Sequence, residues 1–271
     1  MNLFEKILYF LQGEMDTPKP FGWFHLLWIG LIVISITFIY IKRKNYNERK
    51  LKIALGIYGI VALILEILKQ LIWTFNYDPI TNIVTWDYEW YSFPYQLCTT
   101  PIYVCLICLF LKDNKLRKSL LSYLSFFTVL GGISTILLPD SCFVSDILVN
   151  IHTMWLHCGS FVVSIYLLIN KEVELKEQNM GKAIIVFLSF VLSALLLNII
   201  IYKCGILNGE TFNMFYISPY FISSLPVFNI IQQNVPYILY LLIYMWALII
   251  GAYIIFYISI IIKKLCNKLR S

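Results

Sequence analysis

The sequence predicts an all-α membrane protein, a bundle of seven transmembrane helices, and three observations lead to this prediction. Hydrophobic residues make up 60% of the 271 residues and charged residues 13%, whereas soluble domains carry about 25% charged residues. The apolar residues fall in long blocks, and a block such as 237–262 is long enough to cross a bilayer core. Basic residues alternate between rich and poor in successive connections.

Each predicted helix is an apolar run bounded by polar or proline-containing segments. The runs cover residues 22–41, 53–74, 94–111, 118–138, 151–169, 182–202 and 236–262. Residues 1–20 form an amphipathic stretch that ends at Thr17–Pro20, which is typical of an interfacial helix followed by a proline stop. The chain therefore divides into an interfacial segment, 1–20, and a single seven-helix domain, 21–271.

Lysine and arginine counts set the expected orientation. The connections after the first, third and fifth helices and the C-terminal tail hold six, four, three and four of them. The opposite face holds three, namely Lys6, Lys19 and Lys203. Because basic residues accumulate in cytoplasmic loops, we expect the N-terminus outside and the C-terminus in the cytoplasm.

The composition also argues against several classes of function. The net charge of +6 is divided among loops, so we expect no nucleic-acid partner. Seven cysteines, mostly inside apolar segments, indicate buried thiols rather than a disulfide framework, although a bond between Cys142 and Cys204 near the outer face stays open. The chain has neither a phosphate-binding glycine loop nor a Gly-x-Ser-x-Gly elbow, and its three histidines give little support for zinc. We expect neither a cofactor nor a metal.

Polar residues within the apolar runs are costly and each calls for a partner or a purpose. Most fall near the outer ends of their helices: His25, Glu66, Lys69, Gln96, His152, His157 and Asn198. At 1.5 Å per residue they begin about 5–12 Å below the outer boundary. We therefore expect a shared pocket that opens outward.

Several of these residues have a structural alternative. Glu66 and Lys69, three residues apart, can pair on one helix face. His25 lies between tryptophans, as interface anchors do, and His152 can cap the start of its helix. His157 lies deeper in an otherwise apolar helix, which favours a functional role.

The two long outer loops are rich in aromatic residues, which are typical of a membrane interface. The loop 204–235 has roughly 30 residues, and loops of that length without obvious structure are more often functional than not. We expect it to fold back as a lid.

The sequence resembles the YwaF family of bacterial integral membrane proteins in four segments. Phe93–Cys98 opens the third helix much like the family's Leu-Pro-Leu-His-Leu-Cys, and His157–Gly159 is similar to its Ser-His-Gly. Leu138–Asp140 follows the fourth helix, and Thr211–Phe215 resembles a Thr-Asn-Tyr-Met segment. The resemblance covers nearly the whole chain and implies a multi-pass protein of the bacterial cell membrane.

More distantly, the sequence is similar to eukaryotic membrane proteins that transfer polyunsaturated acyl chains between phospholipids. This resemblance implies Cys98 as nucleophile and His157 as general base, since an imidazole activates a thiol for thioester formation. The family's histidine beside the proline is Gln96 here, and the eukaryotic cysteine can align with Tyr95 instead. The position equivalent to the family's nucleophile therefore stays open.

The same resemblance assigns supporting roles. Glu66 would orient the imidazole, and Asn213 or Gln96 would donate to an oxyanion. Lys69, His25 and His152 are further candidates for supporting or binding residues of the outer pocket.

Two functions fit these observations. One is an enzyme, an acyltransferase or hydrolase that acts on membrane lipids of the outer leaflet through a thiol. The other is a non-catalytic membrane protein that binds a ligand or takes part in transport or assembly. The inner halves of the helices are almost wholly apolar, which argues against a conduction path.

Overall fold

The computed structural model describes residues 1–137 and 139–268, without the side chains of residues 140, 141 and 267. Its helices are α1 (Leu3–Leu11), α2 (Trp23–Lys42), α3 (Glu48–Thr74), α4 (Thr100–Phe110), α5 (Lys115–Phe126), α6 (Thr128–Leu137), α7 (Ile147–Ile169), α8 (Glu177–Lys203), α9 (Phe228–Asn234) and α10 (Tyr237–Lys268). Strands β1 (Phe75–Asp78) and β2 (Ile83–Trp86) form an antiparallel hairpin. The all-α membrane class is confirmed.

Six helical spans in the described residues are long and apolar enough to cross a membrane, with α5 and α6 counted as one span. The helix expected at 94–111 differs, because α4 begins only at Thr100 and has 11 residues. A helix of that length rises about 16 Å, against a hydrocarbon core of about 30 Å. The physical reason is Pro101, which is tolerated in the first turn of a helix but would break a helix begun at residue 94.

The connections between helices gather at two ends of the bundle. At one end Gln12 reaches the end of α3, Glu14 bridges Asp146, and Trp90 contacts Glu210. We call this the loop end; it comprises 12–22, 75–99, 139–146 and 204–236. At the other end Arg117 pairs with Glu48 at 2.8 Å, and Tyr46 hydrogen bonds to Glu172. We call this the basic end; it comprises 42–48, 111–115, 170–176 and 263–268.

The N-terminal segment is tied to the loop end. A capping box formed by Asn2 and Glu5 starts α1, in agreement with the expected amphipathic helix. The Gln12 amide donates to the carbonyls of Ile72 and Phe75, at 2.7 and 2.6 Å. These carbonyls lie at the C-terminus of α3, where helical partners run out, so α1 caps the helix that carries Glu66.

Helix α5 forms the centre of the bundle and packs against α7 and α8. Tyr123 and Phe127 stack on each other, and Phe127 stacks on Phe187 of α8 with ring centroids 4.6 Å apart. The hydroxyls of Thr128 and Ser164 both donate to the Leu124 carbonyl, which removes the cost of burying them.

Two glycines set the close approach of α7 to its neighbours. A Cβ on Gly132 of α6 would lie 2.7 Å from the Phe161 Cβ and 3.0 Å from the His157 carbonyl oxygen. A Cβ on Gly159 of α7 would lie 2.8 Å from the Tyr58 ring of α3. Both positions leave no room for a side chain, so these contacts fix the depth at which His157 and Tyr58 lie.

Candidate functional site

A buried ion cluster lies where α3 and α7 meet near the loop end; it consists of Glu66, Lys69 and His152. The Glu66 carboxylate lies 2.7 Å from the Lys69 ammonium and 2.8 Å from His152 Nε2. Glu66, Lys69 and His152 are 3%, 7% and 4% exposed. Charges so deeply buried are stable only when they neutralise one another. Glu66 and Lys69 thus pair on one helix face, which was the structural alternative, and they also form a cluster with a histidine of another helix.

Gln70 and Ser92 complete the wall around the carboxylate. Gln70 Nε2 donates to Glu66 Oε1 at 2.8 Å and to the Ser92 carbonyl at 2.7 Å. The Lys69 ammonium donates to the same carbonyl at 3.3 Å. Residues 66, 69 and 70 share a face of α3 because they are three and four positions apart.

Histidine 152 retains unused hydrogen-bonding capacity. Its Nδ1 is buried and has no hydrogen-bond partner among the described residues. Its Nε2 lies 2.8 Å from Glu66 Oε2 without the angular geometry of a hydrogen bond, and the contact is ionic only when the imidazole is protonated. An imidazole with an unpartnered nitrogen is available to accept or donate a proton.

Cys98 lies next to this cluster, one residue before the N-cap Thr99 of α4. Its half-buried thiol is within electrostatic reach of Lys69, Glu66 and Cys142. The hydroxyls of Tyr216 and Tyr244 are within electrostatic reach of Cys98 as well. We call Cys98, Cys142, Tyr216 and Tyr244 the thiol cluster. The described residues include all seven cysteines and contain no disulfide, so Cys142 and Cys204 are not bonded to each other.

His157 lies between α6 and α7. Its imidazole makes a polar contact with the Gly131 carbonyl, and His152 is within electrostatic reach. Its Nδ1 is the ring atom nearest to Gly131. Within the described chain Cys98 and His157 are not hydrogen bonded to each other, and His157 has the Gly131 backbone as a polar partner instead.

Gln96 and Asn198 hold the long loop in place. Gln96 donates to the Asn213 carbonyl at 3.0 Å and accepts from the Phe215 amide at 2.7 Å. Asn198 donates to the Met214 carbonyl at 3.0 Å and accepts from the Met214 amide at 2.7 Å. Phe215 and Tyr216 have φ of 56° and 59°, a left-handed backbone that costs about 1–3 kcal/mol per residue and requires such support.

The loop therefore folds back against the bundle and forms a wall of the site. Its side chains at Phe212, Met214, Phe215 and Ile217 are fully buried. The Asn213 amide donates to the carbonyls of Phe221 and Ile222, at 3.2 and 3.3 Å. The amides of Gln96 and Asn213, expected as oxyanion donors, thus have backbone partners.

His25 lies apart from these contacts. Its Nδ1 accepts from the Phe21 amide at 3.1 Å, and its ring packs against Phe21 and Phe143. The ring is fully buried, and its Nε2 has no hydrogen-bond partner among the described groups. The structure brings Glu66, Lys69 and His152 together, but it places His25 in a separate aromatic environment between α2 and α7.

Three contributors to the site escaped the sequence analysis: Tyr88, Ser92 and Tyr216. Burial and then the negative charge of Glu66 raise the pKa of Tyr88 to about 12, so its hydroxyl stays protonated beside the cluster. All three lie in loops outside the apolar runs, and the only signal was the aromatic density of these loops. Leu138 and the side chain of Asp140, in the segment that resembles the YwaF family, lie outside the described residues.

The comparisons with known proteins agree with a membrane fold. A model of the TMEM164 family matches residues 20–261, nearly the whole chain. Neither the curated proteins nor the solved structures gave a match. The resemblance drawn from the sequence is confirmed as far as a membrane protein family, without the YwaF name or acyl transfer. The chain belongs to the TMEM164 family of membrane proteins.

Proposed function

We propose that the protein is a lipid acyltransferase or hydrolase that carries an acyl group on Cys98. The observation that supports this is the position of the thiol, just ahead of α4 and within reach of the ion cluster. The positive end of a helix dipole and a nearby ammonium group both stabilise a thiolate. Burial raises the pKa of the Cys98 thiol to about 12 and the Lys69 ammonium opposes that rise, so the proposed reaction needs a general base to take the thiol proton.

The proposed reaction has two steps. The Cys98 proton passes to His157, the sulfur attacks the ester carbonyl of a phospholipid, and the glycerol oxygen leaves with that proton. The resulting thioester is then attacked by the hydroxyl of a lysolipid or by water, which transfers the acyl group and restores the thiol. Hydrogen bonds between nucleophile and base often tighten only when substrate is bound, as this pair requires.

Replacing Cys98 by alanine is expected to lower acyl transfer by about a hundredfold or more, because it removes the sulfur that would carry the acyl group. The assay uses purified protein in nanodiscs with an isotope-labelled phospholipid and a lysolipid acceptor. Transfer and the hydroxylamine-sensitive mass increase of the protein are both measured. Cys105→Ala is the matched control, because Cys105 is a buried thiol in α4, the helix that follows Cys98. Undiminished transfer in Cys98→Ala would remove the proposal, and lipid that co-purifies without any adduct favours binding without catalysis.

The two histidines are distinguished by the same assay. His157→Gln should abolish the adduct if His157 takes the thiol proton. His152→Gln tests the other available nitrogen, the unpartnered Nδ1. If the adduct is lost in His152→Gln but not in His157→Gln, His152 of the ion cluster is the base.

We also propose that the loop end faces the outside and the basic end the cytoplasm of a bacterial cell. The support is the concentration of lysine and arginine at the basic end. Cys204 and Cys266 are exposed and lie near opposite ends of the bundle. A membrane-impermeant maleimide should label Cys204 in intact cells and Cys266 only after permeabilisation, with Cys204→Ser and Cys266→Ser assigning each signal. The reverse pattern would invert the orientation.

A further inference from the structure

A cavity lies toward the basic end of the bundle, away from the thiol cluster. It is a groove of about 700 Å³ between α2 and α3, and α7 forms its floor. Both outer helices pack on α7, whereas their contacts with each other are marginal. The volume is in the range of sites that bind small molecules. We call it the α2–α3 groove.

The walls of the groove match an acyl chain. Leu31 and Phe38 of α2 and Ile53 and Ile57 of α3 line it, and each of them is 44–61% exposed. In a membrane-spanning bundle, apolar side chains at that exposure face lipid. The groove therefore opens sideways into the hydrocarbon, where a lipid chain can enter without crossing water.

The deep end of the groove is closed. Tyr58 lies across it, and its hydroxyl donates to the Leu156 carbonyl at 3.1 Å. Trp155 donates to the Tyr58 carbonyl at 3.3 Å. Gly159 leaves room for the Tyr58 ring against α7. A chain that enters from the side therefore ends against a fixed aromatic wall.

The mouth of the groove is cationic. Lys42, Arg43 and Lys50 line it at the basic end. Among the described residues none of these three has a carboxylate within ion-pair distance; Lys50 donates to the Asn45 carbonyl at 2.6 Å, and Arg43 lies over the Tyr40 ring. Among the residues that the structure describes, no aspartate or glutamate lines the groove. Three cations without carboxylate partners complement a phosphate, and the Glu172 carboxylate beside the groove is already hydrogen bonded to Tyr46.

We propose that the α2–α3 groove binds an anionic phospholipid of the leaflet at the basic end. One acyl chain lies on α7 between the two outer helices, and the phosphate lies among Lys42, Arg43 and Lys50. The mouth is where α2 ends at Lys42, which is the level at which lipid phosphates meet the hydrocarbon. This proposal does not depend on the reaction at Cys98.

Native mass spectrometry of protein extracted into a neutral detergent tests the site. Purified protein is mixed with phosphatidylglycerol or with phosphatidylcholine of the same chains. We expect one phosphatidylglycerol retained per chain and at least about tenfold less retention in the triple variant Lys42→Gln, Arg43→Gln, Lys50→Gln. The matched control is Lys112→Gln, Lys115→Gln, Lys263→Gln, which removes three exposed charges of the same end outside the groove.

A second variant tests the chain rather than the headgroup. Ala54 lines the groove and is half-buried, so Ala54→Trp should fill it and lower retention with all three cations present. Its thermal unfolding is measured alongside, and the surface triple variant remains decisive if this one does not fold. Equal retention of the two lipids, or undiminished retention in the triple variant, would overturn the proposal. So would a lipid-free dimer, because the groove would then be covered by a second copy.

Discussion

Replacing Glu66 by alanine should destabilise the fold by about 3–5 kcal/mol, because it leaves a buried ammonium group and a buried histidine without their shared carboxylate. Lys69 and His152 are each less than 10% exposed, so water cannot replace the lost partner without opening the bundle. We expect a large drop in the thermal midpoint in detergent and little folded protein in the membrane.

Companion variants show whether the cause is the buried charge. Glu66→Gln with Lys69→Met removes both charges of the close pair and should recover part of the stability. Glu174→Gln is the surface control, since the Glu174–Lys176 pair at 2.5 Å is solvent-exposed and worth little. A thermal midpoint for Glu66→Ala within a few degrees of the wild-type value would contradict the buried ion cluster.

Replacing Asn198 by leucine should release the loop from the bundle. The Asn198 amide satisfies both the N–H and the C=O of Met214, a residue without solvent exposure. Each group left unsatisfied costs about 1–3 kcal/mol, so the loop loses about 2–6 kcal/mol of support. Faster hydrogen exchange at residues 212–218 and a lower thermal midpoint would be measured together.

The control for this prediction makes the same asparagine-to-leucine substitution at an exposed position. Asn234 is exposed on α9 and donates to the Ile230 carbonyl of its own helix. Asn234→Leu should leave hydrogen exchange at residues 212–218 unchanged. If Asn198→Leu also leaves it unchanged, the loop is held by its buried aromatic residues, and the amide contacts are secondary.

The apolar runs predicted the long helices well, because the cost of exposing backbone in a bilayer leaves few alternatives to helix. The same method failed at residues 94–99, which were joined to the apolar run that follows although Pro101 forbids a continuous helix from residue 94. It also missed the β1–β2 hairpin, although Asp78-Pro79 and Asn82 mark a turn between two alternating segments. Prolines and turn residues marked both departures, but the prediction gave more weight to the hydropathy averaged over the whole run.

The sequence indicated which polar residues of the candidate site lie near helix ends, but not which of them contact each other. Nothing in the sequence links Glu66 to His152 across 86 positions, because that contact depends on how α3 rotates against α7. Gly159 lets the Tyr58 ring pack closely against α7, and the sequence alone does not show that these two residues meet. Gln96 and Asn213 were expected to face a substrate, yet a buried amide is equally suited to hold a strained backbone, as it does here.

Tyr58 belongs to both halves of the molecule. One part of its surroundings is the α2–α3 groove, and another is the thiol of Cys98, which is within electrostatic reach of its hydroxyl. A single aromatic ring, hydrogen bonded to Leu156 and packed on Gly159, therefore stands between the α2–α3 groove and the thiol of Cys98. The reach of a chain bound in the groove is therefore set by one tyrosine rotamer, which the hydrogen bond to Leu156 and the close contact with Gly159 hold in place.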